Sequence, residues 1–177
     1  MAVLPIVTVP DERLRTPAQK IGRIDAQTRR LAVDMRETMI AAHGVGLAAP
    51  QVGVLRRLIV VGIPKDHDDD FPNGLDLTLV NPELVRFGGQ QHGDEGCLSI
   101  PGWIGEVTRY ERVTVRAQDL DGKEVRIKAN GYLARILQHE IDHLDGILFT
   151  DRMADPTALR RVETPAPDKA LQEPALA

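Results

Sequence analysis

The stretch Gln138-His139-Glu140-Ile141-Asp142-His143-Leu144-Asp145-Gly146 restricts what this chain can fold into more than any other. At about 100° per helical residue, His139 and His143 stand one turn apart on one face, the spacing at which two imidazoles on a helix share a tetrahedral ion. Glu140 projects about 100° round from His139, beside the pair. Leu133, Leu137, Ile141 and Leu144 form an apolar stripe on the same wheel, with Gln138, Asp142 and Asp145 on the other side. The pattern is that of a buried helix. Glu140 falls between the histidines and the apolar stripe, where an ionised carboxylate is costly unless a cation is close, and a divalent ion would be that cation.

With 177 residues the chain suffices for one domain around one core. A net charge of -4, a pI near 5.7 and no block of Lys and Arg argue against nucleic acid as a partner. No apolar run is long enough to span a bilayer. The opening Met1 to Val7 lacks a basic segment and is broken by Pro5, so it does not read as a signal peptide, and the expected location is cytoplasmic. The single Cys97 excludes an internal disulfide and leaves three readings: a buried small hydrophobe, a nucleophile or a metal ligand.

Along the chain, Asp11 to Ile21 reads as a short helix despite Pro17. Asp25 then caps a clearer helix whose positions Leu31, Met35, Thr38, Met39 and Ala42 follow the helical period, with Gly44 as the stop. Gly44 to Gly53 is small, apolar and aperiodic, which by itself describes a tight crossing of helix and strand with Gln51 satisfied by backbone groups. Leu55 to Ile63 reads as a buried strand and Leu77 to Val80 as another, ending at Asn81-Pro82. The acidic run Asp66 to Asp70 between them lacks calcium-loop spacing and reads as solvated. Cys97 sits in a glycine-flanked segment, and Val113 to Ala117 and Val125 to Ala129 alternate about the turn Asp121-Gly122 as an antiparallel hairpin. His43, His67 and His92 are isolated and read as surface or loop residues. Proline, alanine and mixed charge dominate from about Asp155. The chain therefore divides into one metallohydrolase domain, 1–153, and a tail, 154–177, expected to be partly helical around Leu159 and then disordered. Hairpins without a regular βαβ alternation favour an α+β fold.

A catalytic ion of this kind takes three protein ligands and keeps one position open. His139 and His143 need a third, and Cys97 is the only thiol in the chain. A thiolate and two neutral imidazoles leave a residual charge of about +1, enough to acidify a bound water. Glu140 can take that proton and deliver it to a leaving amine, while the Gln51 side-chain amide and the Leu98 backbone N–H are donors for an oxyanion.

Three ordered motifs, Gly44-Val45-Gly46-Leu47-Ala48-Ala49-Pro50-Gln51, Glu95-Gly96-Cys97-Leu98-Ser99 and Gln138-His139-Glu140-Ile141-Asp142-His143, resemble those of the peptide deformylases. The similarity reaches back to Pro10-Asp11 and Arg13-Leu14-Arg15, includes Val107 to Arg109, and covers residues from about 5 to 153. It implies antiparallel sheets packed around a central C-terminal helix that carries the H-E-x-x-H motif. It also implies hydrolysis of the formyl group from the N-terminal formylmethionine of nascent polypeptides, releasing formate.

By the same resemblance Cys97, His139 and His143 match the metal ligands and Glu140 the general acid/base. Gln51 and the Leu98 amide match the donors to the formyl oxygen, and Gly46 a backbone group beside the scissile bond. Val45 and Gly46 would pair with an extended substrate, and Val45, Tyr132 and Ile136 would line the pocket for its methionine side chain. The implied ion is ferrous iron, with zinc, nickel or cobalt as alternatives. Formyl-Met nascent peptides are the implied partners, met near the ribosome. Where some family members carry a basic residue after the cysteine motif, this chain has Trp103 and Ile104. The other readings of H-E-x-x-H are a metallopeptidase and a metal-binding homologue without catalysis.

Overall fold

The computed structural model describes residues 2–162, and its first departure from the sequence pattern comes at Pro17. The helix expected over Asp11 to Ile21 is reduced to one 3-10 turn, Glu12–Arg15, capped by Asp11, whose carboxylate accepts from the Arg13 amide at 2.9 Å. Pro17 has no amide hydrogen and restricts Thr16 to an extended backbone at φ −98°, so the turn cannot propagate. The next residues are tied elsewhere: the Ala18 amide donates to the Leu144 carbonyl at 2.8 Å.

Helix α1 (Ala26–Ala41) starts where the sequence places it, with the Asp25 carboxylate accepting from the Thr28 amide at 2.8 Å. Its inner face buries Ala32, Met35, Thr38 and Met39. The left-handed residue that ends it is His43, at φ 55°, rather than the expected Gly44. Gly44 serves close approach instead, since a Cβ there would lie 2.8 Å from Leu98 Cδ1.

The strands are β1 (Gly46–Ala48), β2 (Leu58–Ile63), β3 (Leu75–Gly88), β4 (Gln91–Cys97), β5 (Ile100–Arg109), β6 (Arg112–Gln118), β7 (Glu124–Asn130) and β8 (Arg160–Arg161). They form a five-stranded sheet in the order β1-β2-β3-β6-β7 and a three-stranded sheet in the order β4-β5-β8, with antiparallel pairing throughout. Strand β3 does not end at Asn81-Pro82. Asn81 takes φ 52° and the register skips between Val80 and Glu83, so the missing amide of Pro82 falls in a bulge and the strand continues. The Asn81 side chain closes the bulge, accepting from the Ile21 amide and donating to the Ile21 carbonyl, both at 2.8 Å. The β6–β7 hairpin forms as its alternation dictates, with Gly122 at φ 83° in the turn.

Helix α2 (Gly131–Leu144) lies against the five-stranded sheet, where Leu133, Leu137, Ile141 and Leu144 pack with Ile59, Val61, Leu79 and Val115. Burying those four stripe residues contributes about 6–12 kcal/mol before entropy is counted. The opposite face is covered too: every residue from Leu133 to Leu144 is buried, Gln138 and Asp142 included. The architecture is the expected one of antiparallel sheets around a central C-terminal helix.

The segment after α2 differs from expectation. Leu159 is extended (φ −61°, ψ 124°) between a short turn, Pro156–Ala158, and β8, which pairs with β5 at Trp103 and Ile104. A free β5 edge supplies backbone partners that a lone helical turn would lack, and Leu159 packs against the cluster of Leu14, Ile100, Phe149 and Met153. The disordered tail expected beyond this point lies outside the described residues. Among those residues no helix is long and apolar enough to cross a membrane.

Candidate metal centre

The helical spacing of His139 and His143 and the end of β4 bring one group of side chains together. Strand β4 ends at Cys97, which pairs with Ile100 across the turn to β5, and the Cys97 sulfur faces α2. Cys97 Sγ lies 3.2 Å from His143 Nε2, which in turn lies 3.2 Å from His139 Nε2. All three donor atoms lie within 4.8 Å of one another. Ligands about 2.0–2.3 Å from a tetrahedral ion are roughly 3.3–3.8 Å apart, close to the two 3.2 Å separations. A soft sulfur with two imidazoles, on rings 8 % and 1 % exposed, is a donor set that fits a divalent transition metal.

The charges around the donors are arranged for a cation. Burial disfavours a charged His139, yet the Cys97 sulfur and the Glu95 carboxylate outweigh it and raise its pKa well above that of ordinary imidazole. Burial, reinforced by His139 and Arg109, lowers His143 well below the ordinary value and keeps it neutral, the form that ligates. Glu140, 4 % exposed, is pushed up to about 7 by burial, with the His139 charge acting the other way. Its Oε2 is buried with no hydrogen-bond partner, beside three converging donors. Gly46 of β1 backs onto this carboxylate, and a Cβ there would stand 2.8 Å from Glu140 Cδ.

Gln51, on a 3-10 turn Ala49–Val52, is 1 % exposed. Its Oε1 accepts from the Ala48 amide at 2.8 Å, as a structural glutamine would, and this aims Nε2 at Ser99 Oγ (3.2 Å) and Cys97 Sγ (3.5 Å). Leu98 follows Cys97 in the β4–β5 turn, its side chain packed against the cluster of Met35, Met39 and Leu47. Val45 and Tyr132 are half-buried against the α2 core, which contains Ile136. His67 is exposed in a loop, as its sequence context suggests, with its ring centroid 5.9 Å from that of Tyr132.

A Polypeptide deformylase family model matches residues 3–158. The chain belongs to the polypeptide deformylase family. It is 59% identical over 162 residues to the peptide deformylase of Thermomicrobium roseum, with 92% of each chain covered. A crystal structure of the Ehrlichia chaffeensis peptide deformylase in complex with actinonin superposes with a TM-score of 0.82 at 40% identity, covering 89% of this chain and 92% of that one. The Met-Ala-Ser bound enzyme of Acinetobacter baumannii gives a TM-score of 0.78 at 36% identity, covering 86% and 99%.

In this deformylase, residues to which the sequence pattern assigned no task surround the three donors. Glu95 Oε2 faces His139 Nδ1 at 2.8 Å, fixing which ring nitrogen is left for a ligand bond. Burial would raise the Glu95 carboxyl, but the bonds from His139 and Arg109 hold it well below the usual carboxylate range. Arg109 grips both Glu95 oxygens at 2.9 and 3.0 Å, and Arg135 adds a bond at 2.9 Å. Gln138 is held by the backbone of Tyr110, and Asp142 by Arg109 and Arg152. One signal pointed to Glu95: it is two residues from Cys97 on a strand, hence on the same face. Nothing in sequence spacing pointed to Arg135, which reaches back to β4 from the helix.

Proposed function

We propose that the peptide deformylase activity of this chain, hydrolysis of the N-formyl group of formylmethionine on nascent polypeptides, runs at a single divalent ion held by Cys97, His139 and His143. The reading rests on one observation above all: a sulfur and two ring nitrogens converge within 4.8 Å beside a buried carboxylate. The donor set suits ferrous iron, the metal we assign, and would also accept zinc, nickel or cobalt. When bound, the ion supplies a Lewis acid that polarises the formyl oxygen and acidifies water.

The protein groups then divide the work. Glu140 takes the proton from the attacking water as its oxygen bonds the formyl carbon, and delivers a proton to the nitrogen as the C–N bond breaks. The products are formate and a free N-terminal amine. Burial that pushes the Glu140 carboxyl up to about 7 suits it to both tasks. The Gln51 Nε2 and the Leu98 N–H donate to the formyl oxygen as charge gathers on it, and Gln51 is aimed in advance by its bond from Ala48. Among the described residues strand β1 pairs only with β2, so its outer edge at Gly46, with the adjoining Val45, can accept an extended peptide as an added strand. Val45, Tyr132 and Ile136 line the methionine side-chain pocket, in keeping with their place in one apolar cluster. Residues 1–153 carry the catalytic domain. We place the enzyme in the cytoplasm, near the ribosomal exit where formylmethionine emerges.

The test is anaerobic purification with elemental analysis, coupled to formate release from formyl-Met-Ala-Ser and to amide cleavage of Met-Ala-Ser. The expected result is one ion per chain, formate from the first peptide and no cleavage of the second. Glu140→Gln should keep the ion and lose about 10²–10⁴-fold in turnover. Cleavage of internal amides would favour a peptidase, and formate release undiminished in Glu140→Gln would remove Glu140 from the reaction.

A further inference from the structure

We propose that Arg152 is a positioning residue for the metal centre, acting on His139 through Asp142, Arg109 and Glu95. Arg152 closes the 3-10 turn Phe149–Arg152 that follows α2. Its Nε donates to Asp142 Oδ2 at 3.1 Å and its Nη2 to Oδ1 at 2.7 Å. The same Asp142 accepts from Arg109 Nη1. Arg109 also donates from Nε and Nη2 to the two oxygens of Glu95 at 2.9 and 3.0 Å, and Glu95 Oε2 meets His139 Nδ1 at 2.8 Å. Charges alternate along this line. Its inner members Glu95, Arg109 and Asp142 have side chains 4 %, 4 % and 9 % exposed, whereas Arg152 is 46 % exposed.

The geometry makes the outer ion pair matter to the inner one. Asp142 is one residue from His143 and three from His139 on α2, and it shares Arg109 with Glu95. With Arg152 removed, Asp142 keeps Arg109 as its cation and draws that guanidinium outward, against the two bonds by which it holds Glu95. In a buried setting such pulls are weakly screened. Glu95 then sits less firmly on Nδ1, and His139 Nε2 wanders relative to the sulfur and the second ring. A cavity lined by Thr108, Arg109, Tyr110, Gln138, Asp142 and Arg152 opens on this side, so water can take the vacated place on Asp142 without restoring a positive charge. Arg135 still bonds Glu95 from the other direction at 2.9 Å, which limits the effect. The same turn acts on the ring directly, since Phe149 stacks on His139 with centroids 6.3 Å apart and planes 21° from parallel. The turn thus holds the ring from its face through Phe149 and from its edge through the ion pairs.

The inference rests on the metal reading of the site, and one experiment separates the two. The full chain and its Arg152→Met and Arg152→Lys variants are loaded with cobalt(II). Visible absorption, the rate of cobalt loss to a chelator, and the heat unfolding of the metal-free proteins are then recorded. Arg152→Met keeps the aliphatic stem, so it should lose cobalt about 3–10-fold faster, with shifted bands, while Arg152→Lys recovers part of the difference. The metal-free proteins should unfold within about 2 °C of one another, because Asp142 keeps Arg109 as its counter-charge and Arg152 itself is half exposed. Unchanged loss rates and bands in Arg152→Met overturn the proposal, as does faster loss matched by an equal destabilisation of the metal-free protein. A wild-type chain that takes up no stoichiometric cobalt overturns the metal reading itself.

Discussion

Gly46→Ala adds one methyl group where the Glu140 side chain now lies. A Cβ at this position would stand 2.8 Å from Glu140 Cδ and 2.9 Å from Cγ. Carbons in ordinary contact are about 3.5–4.0 Å apart, so the carboxylate must withdraw by roughly 0.7–1.2 Å. Gly46 is not among the glycines at positive φ, so alanine itself meets no backbone strain there, and the whole cost falls on the neighbour. Glu140 cannot shift into open solvent, since α2 is buried from Leu133 to Leu144. Misplacing a reacting group by about 1 Å costs about 10²-fold, within the 10²–10⁴-fold that a general acid–base group supplies. The expected variant therefore keeps its ion, because none of the three donors is touched, and loses about 10²-fold in kcat for formate release. Overpacking should also lower stability by about 1–3 kcal/mol, read by urea unfolding. A Gly46→Ala protein with full ion content and kcat within about twofold of the wild type would refute the placement of Glu140 as proton carrier.

Two further substitutions separate the site from its frame. Glu95→Gln removes the anion shared by His139, Arg109 and Arg135; ion affinity should drop about 10–100-fold, and stability by about 3–5 kcal/mol, in a chelator competition and a denaturant titration. Undiminished affinity there would mean that His139 needs no orienting partner. Asp25→Ala deletes the cap of α1 far from the donors, so it should cost about 1 kcal/mol in denaturant unfolding and leave kcat for formate release unchanged.

What could be read from the sequence was local or periodic. His139, Glu140 and His143 are fixed on one helix by its own geometry, so their mutual placement required no tertiary information. The α1 cap at Asp25 and the hairpin turn at Asp121-Gly122 are of the same kind, since each is decided by the residue that best satisfies a few adjacent backbone groups. Where a local signal competed with a longer-range partner, it lost. Asn81-Pro82 reads as a strand end, but the Asn81 side chain binds the backbone of Ile21 and makes a bulge instead. Leu159 reads as helical, but the open edge of β5 takes the following residues as a strand.

The remainder belonged to the tertiary structure. That the Cys97 sulfur lies 3.2 Å from a ring nitrogen 46 residues away depends on how the β4–β5 hairpin packs against α2, which no nearest-neighbour pattern specifies. On the side of α2 away from the apolar stripe, Gln138 and Asp142 are 6 % exposed each, because Arg109, Arg152 and the Tyr110 backbone provide partners that make their burial affordable. Sequence alone determined which groups could bind an ion, since that is set by chemistry and helical pitch. Only the packed chain decided how firmly each is held, since a buried charge is tolerated only when distant segments bring its counter-charge to it.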